Sequence, residues 1–378
     1  MKKKSIVWLP FVIAIAIVLG IAIGYRYPQT HIVKGVQQGV PGNKINNLLG
    51  IIETQYVDTV NMNDLIEDVM PQIVGELDPH SAYIPAKDLQ AVNDELEGSF
   101  SGIGIQFSIL NDTITIVAVV PGGPSEKIGI MPGDRIVEVD DTVFAGKDVV
   151  SNDKVLKKLR GPKGSQVKLG ILRSTSPDML TYEVTRNDIP VNSVDVAFMV
   201  NKEVGYIKVN KFGRTTYTEF MNGLAQLKNQ NAEKFIVDLR GNSGGILDIA
   251  INMINEFLPK GELIVYTEGK AFPRSEAISN GSGAFKEAPI VVLIDEWSAS
   301  ASEIFAGAIQ DNDRGLIVGR RSFGKGLVQN QLPFADGSAI RLTIARYYTP
   351  SGRSIQKEYE LGHGEDYEKD ILNRLAFG

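Results

Sequence analysis

Between residues 203 and 319 short strand-like runs alternate with helical patterns. The runs 203-EVGYIKVNKF-212, 235-FIVDL-239, 289-PIVVLID-295 and 315-GLIVG-319 are separated by helical spacing over residues 217–228, 246–257 and 301–310. Apolar strands of this kind belong to a sheet covered on both faces, and their alternation with helices leads to a layered α/β core whose chemistry lies at strand ends. Two of those ends are built from small residues: 235-FIVDL-239 runs into GNSGG, and 289-PIVVLID-295 runs toward SASASE and a helix. A hairpin is expected around Asp336 and Gly337.

The segment 241-GNSGG-245 has the Gly-x-Ser-Gly-Gly form of a trypsin-like nucleophile, centred on Ser243. That chemistry needs a histidine base, and the chain offers only His31, His80 and His363. His31 lies in a polar stretch near the N-terminus and His363 in a charged tail. His80 lies in a tight Asp-Pro-His-Ser turn, which suits capping or packing. A glycine-built strand-to-helix junction can instead bring backbone N–H groups, with the positive end of a helix, to a developing oxyanion. A turn that merely tightens the junction is the plainer alternative.

A serine at the second junction would lie at a helix N-terminus, with small neighbours leaving room for a peptide. The stretch from Ser300 to Glu303 also has the form of a capping box, a purely structural use. The lysine of 323-FGKG-326, set between glycines after an apolar run, is an unusual place for a charge. Desolvation favours its neutral amine, which can take a proton from serine. A surface charge in a glycine loop is the alternative.

The first residues are MKKK followed by an uncharged apolar run over residues 5–25. About twenty such residues cross a bilayer as a helix, and the lysines keep their end inside the cytoplasm. A cleaved signal peptide is the competing reading. The absence of cysteine excludes a lipid-anchored form and fits an envelope compartment. A net charge of −6 without a basic cluster gives no reason to expect nucleic acid. No clustered ligand set calls for a metal, and no cofactor is expected.

Residues 1–25 are therefore read as an anchor or signal segment, and residues 26–43 as a linker. Residues 44–97 form a helical module with apolar faces at Ile45, Leu48, Leu49, Ile52 and Tyr56, and at Leu65, Ile66, Val69, Ile73 and Val74. Residues 98–187 carry strands, a short helix between Gly/Pro punctuation, and a helix at residues 152–159. With the Gly-Ile-Gly-Ile loop and the Pro-Gly-Asp-x-Ile-x-x-Val run, this order resembles a PDZ domain. Residues 188–378 hold the α/β core and a tail.

The motifs LDPHSAY, DLRGNSGG, SASASEIFAGAIQD, FGKGLVQ and YYTPSGRSIQ, around an embedded PDZ domain, resemble those of the carboxyl-terminal processing peptidases, or tail-specific proteases. The resemblance spans about residues 43–356, and the tail after Gln356 departs from it. It implies a crotonase/ClpP-like ββα spiral core with an inserted PDZ domain and an N-terminal helical module. It also implies a nucleophile at Ser300, with Ser298 and Ser302 as neighbours, a general base at Lys325, and Gln329 holding the lysine amine. Lys325 and Gln329 would lie about 13 Å apart on an extended strand, so Gly326 is expected to bend the chain. The oxyanion would meet the N–H groups of Ala301 and Gly244, with Gly245 in reserve, leaving Ser243 a bystander.

In the PDZ domain, Gly102, Ile103, Gly104 and Ile105 would receive a substrate's terminal carboxylate and its apolar last side chain. Arg160 would couple PDZ position to the active site. The resulting expectation is a single-pass membrane-anchored serine endopeptidase, with its catalytic part in the periplasm or another extracytoplasmic space. It would act on proteins or peptides with free C-termini and form a homodimer through the N-terminal helices. The alternatives are a PDZ adaptor or chaperone with an inactive core, and a trypsin-like protease using Ser243.

Overall fold

The computed structural model describes residues 41–360, apart from Gly98, Asp148 and Val191, together with Asp370. The apolar segment 1–25, most of the expected linker and most of the C-terminal tail lie outside the described residues. Among the described residues no helix is long and apolar enough to cross a membrane. The chain divides into two compact units, residues 1–66 and 67–378.

The first unit contains α1 (Pro41–Gln55) and the start of α2 (Met62–Gly75). Residues 41–43, read as linker, thus already belong to a helix. The second unit continues with β1 (Ala82–Ile84) and α3 (Ala86–Glu97).

Next come β2 (Ser99–Gly102), β3 (Ile105–Leu110), β4 (Thr113–Val119), α4 (Pro124–Lys127), β5 (Arg135–Val139), β6 (Thr142–Val143), α5 (Asn152–Leu159), β7 (Gln166–Leu172), β8 (Leu180–Thr185) and β9 (Asn187–Pro190). Strands β3-β4-β5-β7-β8 form an antiparallel sheet in that order, with β6 on β5. Ile114, Ile136, Val155, Leu169, Ile171 and Val184 fill its core. Arg186 donates to the carbonyls of Lys158, Leu159 and Gln166, which ties the end of α5 to the last strands. Strands β2 and β9 pair with each other, Ser99 opposite Pro190 and Gly102 opposite Asn187, where the chain enters and leaves this domain. Neither stands out in sequence, being short and polar.

The remaining elements are β10 (Val196–Met199), β11 (Val204–Lys208), α6 (Thr216–Asn229), β12 (Lys234–Asp238), α7 (Leu247–Asn255), β13 (Leu263–Glu268), β14 (Ser275–Ile278), β15 (Ile290–Ile294), α8 (Ala301–Asp311), β16 (Leu316–Gly319), β17 (Leu327–Pro333) and β18 (Ala339–Tyr348). One sheet runs β10-β11-β12-β15-β16, parallel throughout except for β10 at its edge. A second runs β1-β18-β13-β14, with β17 pairing β18 across the expected hairpin. The α/β layering read from the apolar runs is therefore present, with the added antiparallel strands β10, β13 and β14.

Residues Ala301 to Ile309 of α8 are all buried. Such a helix needs small side chains where neighbours press close: a Cβ at Gly307 would come within 2.8 Å of Thr349 Cγ2. Phe220, Phe257, Phe285 and Phe305 meet in edge-on or tilted pairs in the same core, an arrangement that adds to the stabilisation from area burial.

Candidate active site

Strands β11, β12 and β15 are parallel neighbours, so their carboxyl ends open at one side of the sheet. From those ends come Phe212, the GNSGG segment and Ser300. They line one cleft of about 610 Å³ with Lys325, Leu327, Gln329, Gln331, Arg341 and Tyr347 from the other sheet and the loop leading into it.

Ser300 is the residue before α8 and has φ 54° and ψ −113°. Non-glycine residues rarely occupy this left-handed side of backbone space, and the strain, about 1–3 kcal/mol, persists only where the surroundings fix it. Here they do. The buried Ser298 donates its hydroxyl to Leu239 O at 2.8 Å, and the buried Ser302 donates to Asn242 O at 2.9 Å. Asn242 O also accepts the Ala299 N–H at 3.0 Å. Asp295 Oδ1 accepts the N–H groups of Gly241, Trp297 and Ser298. The two serines flanking Ser300 therefore lace its loop to the GNSGG loop.

Gly244 lies against this turn with φ 99°, and a Cβ there would stand 2.6 Å from Ala299 O and 2.8 Å from Ser300 Cβ. Its N–H already donates to Asn242 Oδ1 at 2.8 Å. The N–H groups of Gly245 and Ala301 donate to no group among the described residues. Gly244, the expected choice, thus gives its N–H to an internal acceptor, and its reserve, Gly245, has an N–H with no acceptor among the described residues. Ser243 is exposed at the cleft, and no hydrogen bond joins it to a histidine among the described residues.

The Lys325 side chain is half-buried, and its pKa is held below the ordinary lysine value by burial, then by the nearby Arg341 charge. Asp78 and Glu303 oppose that shift. Glu303 does more than cap α8. Its buried carboxylate accepts from Ser300 N at 2.9 Å, Ser322 Oγ at 2.6 Å, Gly324 N at 2.7 Å and Lys325 N at 2.8 Å. Burial pushes the Glu303 pKa up while these donors pull it down.

The segment around Gly326 departs from a regular strand on both sides of it. Gly324 has φ 92°, and a register shift between Val328 and Gln329 interrupts the ladder. Gly326 instead passes so close to Gln356 that a Cβ would meet its backbone N at 2.4 Å. Gln329 donates its amide to His80 O at 2.5 Å, so here it holds the LDPHSAY turn. That turn is pinned by Asp78, which accepts from His80 N and Ser81 N, and by β1 pairing with β18. Burial, then the Lys325 charge, lowers the His80 pKa to about 4. The turn read as packing thus borders the lysine, a placement that only the β1–β18 pairing reveals.

In the PDZ domain, Gly102 and Gly104 are buried, and Gly104 has φ 75°. The N–H groups of Ile103 and Gly104 donate to nothing among the described residues, whereas the Ile103 carbonyl accepts from Ser125 N and Oγ. The Ile103 side chain is 2% exposed and packs into the PDZ core, so of the two expected pocket residues Ile105 is the more open. Arg160 stacks its guanidinium 4.4 Å from the centre of the Phe100 ring and leaves a buried Nε without a partner among the described residues. It does not line the cleft.

Residues 203–368 match the model of peptidase family S41, and residues 101–185 that of the PDZ domain. The chain is 36% identical over 310 residues to a carboxy-terminal-processing protease of Bartonella bacilliformis, covering 81% of this chain and 70% of that one. It is 34% identical over 334 residues to a probable CtpA-like serine protease of Staphylococcus aureus, covering 87% of this chain and 64% of that one. Among solved structures, a photosystem II D1 C-terminal processing protease aligns at 27% identity with a TM-score of 0.47, covering 82% and 89% of the two chains. The two family matches and the two sequence relatives define a serine peptidase with a PDZ domain. The chain belongs to peptidase family S41, among the carboxy-terminal-processing proteases.

Proposed function

We propose that the chain is an endopeptidase in which Ser300 is the nucleophile and Lys325 the general base. The observation that carries this reading is the strained Ser300 backbone at the head of α8, in one cleft with a half-buried lysine whose pKa burial holds below the ordinary value. The Lys325 amine takes the Ser300 hydroxyl proton as Oγ attacks a substrate carbonyl. The resulting oxyanion is met by the N–H groups of Ala301 and Gly245, with Gly244 joining if Asn242 releases it. Collapse breaks the C–N bond as the lysine ammonium protonates the leaving amine. Water then attacks the acyl-enzyme, giving its proton to Lys325, and Ser300 regains a proton when the acid leaves. Gln329 positions the lysine.

The PDZ domain, read at residues 98–187, takes a protein C-terminus on the open N–H groups of its Gly102–Ile105 loop and delivers the chain to a core at residues 188–378. Arg160 relays PDZ position. The crotonase/ClpP-like spiral, the role of residues 44–97 as a module, membrane anchoring with the catalytic part outside the cytoplasm, and dimerisation through the N-terminal helices rest on sequence alone.

The test is cleavage of a flexible protein with a free apolar C-terminus by the full chain and by Ser300→Ala. Fragments from the wild type that vanish with Ser300→Ala are expected. Cleavage that survives in Ser300→Ala would overturn the assignment.

A further inference from the structure

Among the described residues the cleft is lined by the cations Lys211 and Arg341, by Lys325, whose pKa is held down, and by no carboxylate. Its one phenol, Tyr347, is kept protonated by burial, which pushes its pKa to about 12. A lining with positive side chains and no negative one attracts anions.

Arg341 is the distinctive member. On β18 it stands opposite Gln331 of β17 and Ala82 of β1, and its side chain is half-buried. Gln331 donates to Asn93 Oδ1 at 3.0 Å and accepts from Arg341 at 3.3 Å, so it orients the guanidinium while occupying one of its five N–H groups. No ion pair joins Arg341 to a carboxylate among the described residues. Arg173, Arg240, Arg320 and Arg353, by contrast, each meet one. The acids near the lysine are engaged: Asp78 by His80 and Ser81, Glu303 by Ser300, Ser322, Gly324 and Lys325.

We infer that Arg341 forms a carboxylate subsite of the cleft, binding an acidic group of the peptide being cut, with Lys211 adding to the attraction. The fork of a guanidinium matches a carboxylate with two parallel hydrogen bonds, and a half-buried position strengthens them. Two sources supply that chemistry: an Asp or Glu side chain near the scissile bond, or the terminal carboxylate of a short fragment being removed. The inference rests on reading this cleft as the peptide-binding site.

The experiment uses the full chain and peptide twins differing only in Glu against Gln near the cut, or in a free against an amidated C-terminus. Binding is measured by fluorescence anisotropy with Ser300→Ala, and kcat/KM with the wild type. At least one carboxylate twin should be favoured by about ten- to a hundredfold, as expected for a bidentate charge-assisted contact. The preference should disappear with Arg341→Gln, return in part with Arg341→Lys, and turn toward lysine-bearing twins with Arg341→Glu. A preference in the Glu/Gln pair assigns the subsite to a side chain, and one in the amidation pair to the chain end. An amidation effect that persists in Arg341→Gln belongs to the PDZ loop and counts against the subsite. Equal binding of both twins in both pairs would overturn it. The anisotropy arm does not require turnover, so a failed subsite is distinguishable from a failed nucleophile assignment, which Ser300→Ala cleavage reports separately.

Discussion

Ser300 and Lys325 are tied through a single oxygen: Oε2 of Glu303 accepts the Ser300 N–H at 2.9 Å and the Lys325 N–H at 2.8 Å. The other oxygen holds Ser322 Oγ and the Gly324 N–H. Two segments far apart in the chain are thus fixed by a carboxylate that itself touches neither reacting atom.

Glu303→Gln replaces one acceptor oxygen with a donor facing N–H groups, which leaves buried donors unmatched. The expected cost is about 1–3 kcal/mol of stability, read by urea unfolding. Activity should fall by about a hundredfold, since small displacements of reacting groups have effects of that size. Wild-type turnover by this variant would show that the tether is dispensable.

Gly244→Ala tests the closeness of the two loops. A Cβ 2.6 Å from Ala299 O and 2.8 Å from Ser300 Cβ, on a residue at φ 99°, forces the turn apart. Cleavage should drop by about a hundredfold. Ser243→Ala, on the exposed rim, should leave kcat/KM within about twofold of wild type, as for surface changes away from special features. The reverse pattern would restore Ser243 as the nucleophile.

His80 predicts a pH dependence of stability. Its folded pKa of about 4 lies below the unfolded 6.5, so below 6.5 the unfolded chain binds a proton that the folded chain refuses. Stability from this residue is full above pH 6.5, declines as pH falls toward 4 and is then constant, a loss of about 3 kcal/mol. His80→Gln should flatten the urea midpoint over that window relative to wild type. Parallel curves would refute the assignment.

The sheet that carries the cleft was legible wherever burial on both faces made a strand apolar, as in β12 and β15. The run at 263–268 is apolar too, but its partner β18 lies some eighty residues further on, and pairing at that distance leaves no local pattern. The edge strand β14, SEAI, is mostly exposed and carries no periodic signal. Ser300, Lys325 and Gln329 were found through motifs, and the fold brings all three to one cleft. What the motifs lacked was hydrogen-bond bookkeeping: that Gly244 gives its N–H to Asn242, that Gln329 gives its amide to His80, and that Ile103 packs inward. Each depends on backbone angles and long-range pairing, which residue identity does not encode.

The pairing of Ser99 with Pro190 places the two ends of the PDZ segment about 5 Å apart, one strand spacing. The protease chain on either side is therefore nearly continuous without it. A domain mounted on so narrow a stem is the part of the chain whose exchange would least disturb the register of the sheets that carry the cleft. On the function proposed above, target choice and bond cleavage would then be traits that can vary apart, joined by a ribbon two strands wide.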